Sequence, residues 1–76
     1  MKCREIGPER TYTSAGVTER YRNGTVWEER DKRTVGLSVG GYYPENAADG
    51  LTAAELREMA RDLLVVADLL DVGGAL

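Results

Sequence analysis

Two hydrophobic periods divide the chain. Over residues 52–72 apolar positions recur at helical spacing, so that Leu56, Met59, Ala60, Leu63, Val66, Ala67 and Leu70 fall on one stripe about 120° wide. Arg57, Glu58, Arg61, Asp62 and Asp68 take the other side. The start of this helix is written out locally. Thr52 can act as N-cap, Glu55 three residues later can return the hydrogen bond, and Leu51 can pack on Leu56 as a staple. Gly73 and Gly74 supply the positive-φ options that end a helix, leaving residues 73–76 as a tail. A second apolar stripe runs among the charges: Val65, Leu69 and Val72 at i, i+4 and i+7, with Leu64 at the boundary between faces. A buried Val or Leu contributes roughly 1.5–3 kcal/mol, so this stripe can hold a modest interface, unless the N-terminal segment folds over it.

Ahead of the helix the period falls to two. Asn23-Gly24 predicts a type I′ hairpin between residues 17–22 and 25–30, because that turn needs positive φ at both central positions. A second turn at Asp31-Lys32 leads into residues 34–39, where Val35, Leu37 and Val39 alternate with Gly36 and Ser38. Residues 10–14 read as a fourth, weaker strand with Ala15-Gly16 as a bend, residues 1–9 as a mobile N-terminus, and residues 44–51 as a loop. The expected architecture is a single α+β domain: a three- or four-stranded antiparallel meander over residues 10–43, then one long C-terminal helix packed on one face (β-β-β-α). With two-residue turns, Tyr21, Val26 and Leu37 become neighbours on the helix-facing side, joined by Val17, Val35 and Val39. The opposite side carries Arg20, Trp27 and Gly36 in one row and Arg22, Thr25 and Ser38 in the next. This register has a flaw, since it sets Glu19 opposite Glu28, and directly opposed like charges are unfavourable.

Composition narrows the chemistry. A chain of 76 residues makes one domain and buries a smaller fraction of its surface than a larger one, for which dimerisation is a natural remedy. With one cysteine, Cys3, and no His, neither a disulfide framework nor a thiolate/imidazole zinc site can be built within one chain, and no cofactor or metal is expected. A lone cysteine fits a reducing compartment, residues 1–10 lack the apolar stretch of a secretory signal, and the longest apolar run, residues 63–67, is far too short to span a membrane. The expected location is the cytoplasm. Residues 1–43 carry eight Lys/Arg against six Asp/Glu, whereas residues 44–76 carry two against seven. The net charge of −3 argues against general nucleic-acid affinity, which rests on phosphate neutralisation, without excluding a local basic face.

Trp27 is either a core residue, as the only Trp of a small domain usually is, or an exposed platform. With Arg20 and Arg22 on its face, and Arg30, Lys32 and Arg33 nearby, an exposed Trp27 would offer what single-stranded nucleic acid uses, a ring for stacking and cations for phosphates. Tyr42 and Tyr43 could extend that platform or close a core. Interleaved Glu19, Glu28, Glu29 and Asp31 leave residues 17–35 with a net charge of only +1, so a salt-bridged surface explains the same residues. For catalysis, the chain has no His for neutral-pH acid/base work, and Glu19/Glu28 is the one carboxylate pair that the expected strands bring together. Cys3 lacks a His to activate it and reads as a terminal, mobile thiol. The glycines of residues 36–41 are not followed by the Gly-Lys-Ser/Thr of a phosphate loop, and Asp49, Asp68 and Asp71 lack the ligand spacing of a calcium loop.

The segment LTAAELREMARDLLVVADLLD, residues 51–71, resembles the C-terminal helix of short orphan proteins in high-GC actinobacteria and their phages. The resemblance covers the last third of the chain and brings no catalytic or binding residue with it. It implies a small intracellular accessory protein, such as a phage product acting on a host protein. The function expected from the whole sequence is a non-enzymatic protein-interaction module that forms a homodimer through Leu64, Val65, Leu69 and Val72. The alternative is single-stranded nucleic-acid binding through Arg20, Arg22 and Trp27.

Overall fold

A computed structural model describes residues 2–40 and 46–74, with only the backbone of Asn46. Strands β1 (Cys3–Ser14), β2 (Val17–Glu28), β3 (Val35–Val39) and β4 (Asn46–Leu51) precede one helix, α1 (Ala53–Asp71). The strands form one antiparallel sheet in sequence order, a meander followed by a C-terminal helix, as the α+β reading expected.

The first hairpin does not turn where the sequence signal is strongest. Asn23 and Gly24 lie inside β2, and the chain reverses at Ala15-Gly16, whose φ angles of 52° and 77° supply the two positive values of a type I′ turn. Two features favour this solution. It lets two twelve-residue strands pair along their length, bringing residues 3–9, expected to be mobile, into the sheet. It also removes the charge conflict, since Glu19 now pairs with Tyr12 and Glu28 with Val35. Gly24 serves packing instead of turning. Ile6 lies across from it, and its Cγ1 would stand 2.6 Å from any Cβ placed there. Next to this pair, Gly7 (φ 90°) and Pro8 bulge out opposite the single residue Asn23. The Asn23 Oδ1 is buried there without a hydrogen-bond partner.

The second turn forms as expected around Asp31 and Lys32. The Lys32 N–H donates to the Glu29 carbonyl at 3.0 Å, Lys32 takes a φ of 60°, and Asp31 Oδ1 accepts from the Arg33 N–H at 3.0 Å. The register that follows matches expectation for the inner strands: Val26 pairs with Leu37, Trp27 with Gly36 and Thr25 with Ser38. Residues 46–51, read as a loop, instead form β4 along β3, with a register shift that accommodates Gly50 at φ 69°. Glu29 fastens this edge. One carboxylate oxygen accepts from the Thr34 hydroxyl at 2.6 Å and from the Gly50 N–H at 2.9 Å, tying the β2–β3 turn to the bulge just before the helix.

The helix ends follow the sequence closely. The Glu55 N–H donates to Thr52 Oγ1 at 3.2 Å and the Thr52 N–H donates back to Glu55 Oε1 at 3.2 Å, a complete capping box. At the other end the Gly74 N–H reaches the Leu69 carbonyl at 2.8 Å and the Gly73 N–H the Leu70 carbonyl at 3.2 Å, with Gly73 at φ 70°. This is a Schellman stop.

The helix does not, however, sit on a closed core. None of its residues is buried, and Leu63 and Leu70, expected on the sheet-facing stripe, are 66% and 71% exposed. Only Leu56, Met59, Val66 and Leu69 are half-buried. The extensive contacts between elements are all between neighbouring strands, and among the described residues no apolar side chain is fully buried. The molecule is accordingly a slab of 41 × 41 × 17 Å with a radius of gyration of 14.8 Å, against about 11 Å for a compact chain of this length.

Candidate functional site

Strand alternation sorts the sheet into two faces, and the observed register assigns the paired residues to one or the other. On the first, Ile6, Val26, Val35, Leu37, Val39 and Ala48 form an apolar field, with Arg4 opposite Val26, and with Arg20 and Arg22 further along β2. On the second lie Cys3, Tyr21, Thr25, Trp27, Gly36 and Ser38. Tyr21 and Val17 therefore leave the face expected for them, because moving the hairpin made residues 17–28 one continuous strand in which odd and even positions point apart.

Trp27 is neither a sealed core residue nor a free platform. It is half-buried, and its indole lies flat over Gly36, filling the place where a Cβ would stand. A glycine in mid-strand gives the ring a shelf, and the ring in turn covers backbone that the missing side chain would leave open. Cys3 pairs with Trp27 from β1; its thiol is exposed, but the residue belongs to a strand and is not a mobile end. Ser38, 8% exposed, is the buried polar residue of this face.

The residues suggested for nucleic acid are not brought together. Arg20 and Arg22 are on the apolar-field side of β2 and Trp27 on the other, five or more positions along the strand. Each arginine has a partner: Arg22 Nε donates to the Gly7 carbonyl at 2.6 Å, and Arg20 forms an exposed ion pair with Glu9, Nε to Oε1 3.6 Å. Tyr42 and Tyr43 lie outside the described residues. The carboxylate pair also dissolves. Glu19 and Glu28 are nine positions apart on one strand, about 30 Å at strand rise. Among the described residues no group of three His, Cys, Asp or Glu is placed to hold a metal ion, and no helix is long and apolar enough to cross a membrane.

The four residues expected at an interface lie along the C-terminal half of α1 and its C-cap, Val72. Leu64, Val65 and Val72 are 66%, 57% and 79% exposed. Leu69 is half-buried, and the reason is local: the Schellman stop brings Gly74 back over it, so that a Cβ on Gly74 would meet Leu69 Cδ2 at 3.3 Å. What the sequence did not reveal is that the inner stripe is also open in part, with Leu63 and Leu70 exposed and Leu56, Met59 and Val66 only half-buried. The helix therefore presents two apolar surfaces, and the sheet a third. An open groove of about 510 Å³ also lies along the β1 bulge between Glu5, Pro8, Arg20 and Arg22. Compared with known proteins, the chain finds no significant match among family models, curated proteins or solved structures.

Proposed function

We propose that this protein is a small, non-enzymatic protein-interaction module that self-associates through α1, with Leu64, Val65, Leu69 and Val72 in the contact. The observation that carries this is the helix itself: its ends are fully capped, yet it buries no residue on either stripe. A helix of this length gains most of its stability from packing an apolar face, so an isolated α1 lacks its main source of support. The separation of Arg20 and Arg22 from Trp27, and of Glu19 from Glu28, supports an interaction role over a nucleic-acid platform or a carboxylate-based reaction. The resemblance of residues 51–71 to helices of short actinobacterial and phage proteins adds a context, a cytoplasmic accessory protein whose further partner is a host protein.

Mass by light scattering on a sizing column, over a concentration series, tests the proposal. The wild-type chain runs at twice 8.3 kDa and Leu69→Asp runs as a folded monomer. An unchanged oligomer in Leu69→Asp would remove the outer stripe from the interface, and a monomeric wild type would remove self-association altogether.

A further inference from the structure

The chain holds both halves of a core without joining them. The sheet offers an apolar field, Ile6, Val26, Leu37, Val39 and Ala48, in which Val39 is 53% exposed and an open hollow of about 250 Å³ lies along Leu37, Val39 and Ala48. The helix offers an apolar stripe of matching kind, Leu56, Met59, Leu63, Val66 and Leu70. Within one chain these surfaces are not packed together. We infer that they meet between chains: the inner stripe of α1 from one copy lies across the apolar sheet field of a second copy, and the exchange is reciprocal.

An area and a symmetry argument point to a second copy as the occupant. The chain exposes 6290 Å², whereas a compact monomer of its mass exposes about 4,600 Å². The surplus, roughly 1,700 Å² per chain, falls in the range that one partner of an obligate homodimer buries, about 1,000–2,500 Å². Finally, each chain supplies one sheet field and one inner stripe, so a two-fold arrangement satisfies both of these surfaces in both copies.

This inference rests on the self-association proposed above and adds to its outer-stripe contact a second one, the inner stripe on the partner's sheet field, and the test separates the two. In a Cys3→Ser background, Ala48→Cys marks the sheet field and Ala60→Cys or Ala67→Cys marks either half of the inner stripe; all three alanines are exposed, so the changes are mild. Sheet-marked and helix-marked chains, one carrying a mass tag, are refolded together and treated with a short bifunctional thiol reagent. The expected product is a tagged–untagged pair joined between Ala48→Cys and one of the helix positions. Its yield falls on the order of tenfold when the sheet-marked chain also carries Val39→Asp. A dimer that light scattering confirms, but that joins only through Leu69→Cys on both chains, overturns the exchange while leaving helix-mediated association intact. Closure of the double variant Ala48→Cys/Ala60→Cys within one chain at high dilution also overturns it, because the helix would then cover its own sheet.

Discussion

In the sheet, the packing contacts join different strands: Ile6 over Gly24, Trp27 over Gly36, Glu29 to Gly50. In α1 the contacts that define the element all fall within residues 52–74. The sheet is thus specified by mutual fit of distant residues and the helix by local grammar. Their deficits are also opposite. The sheet has its register fixed but one apolar face open, and the helix has both termini satisfied but no surface to rest on. Local completeness and tertiary completeness are separate achievements, and only the second removes apolar area from water.

Substitutions can break either side of that contrast selectively. The largest expected effect is in the sheet: Gly36→Val puts a branched side chain where the Trp27 ring lies and costs about 2–3 kcal/mol, seen as a lowered midpoint in urea unfolding. Next comes the helix stop. Gly73→Ala forces φ of 70° on a residue with a Cβ and costs about 1–2 kcal/mol, again by urea midpoint, with the sheet register unchanged in backbone chemical shifts. Thr52→Ala removes the N-cap oxygen and costs about 1 kcal/mol, read as a drop in melting temperature at fixed protein concentration. The smallest effect is a gain. Ala15→Asn puts a residue tolerant of positive φ into the first turn and stabilises by about 0.5 kcal/mol in the same melting assay, an outcome that a turn at Asn23-Gly24 would not produce.

How far the sequence could be read follows the same division. Thr52, Glu55 and Gly73 state their roles through neighbours no more than five positions away, so both ends of α1 were legible. The inner strands were legible too, because the short turn at Asp31-Lys32 carries the register from Val26 to Leu37 and from Trp27 to Gly36. The first hairpin was not. Asn23-Gly24 has the better local chemistry, but Ala15-Gly16 wins through a long-range sum: a longer ladder, a niche for Ile6 at Gly24, and relief of Glu19 from Glu28. The clash between those glutamates was the one visible sign of the error. β4 was illegible for another reason, since Asn46, Asp49 and Gly50 are turn residues and the strand exists by pairing with β3. At the candidate interface Leu64, Val65, Leu69 and Val72 were legible from helical spacing, whereas the openness of the inner stripe was not, because periodicity reveals which residues share a side and not whether anything covers them.

The seat of Trp27 on Gly36 also makes the chain its own two-channel thermometer. Its indole, the only one present, reports the seam between β2 and β3, while far-ultraviolet ellipticity is dominated by α1. If sheet and helix share a core only across two chains, the two signals melt together in concentrated solution and part on dilution, the helix fading while the tryptophan still emits from its folded seam.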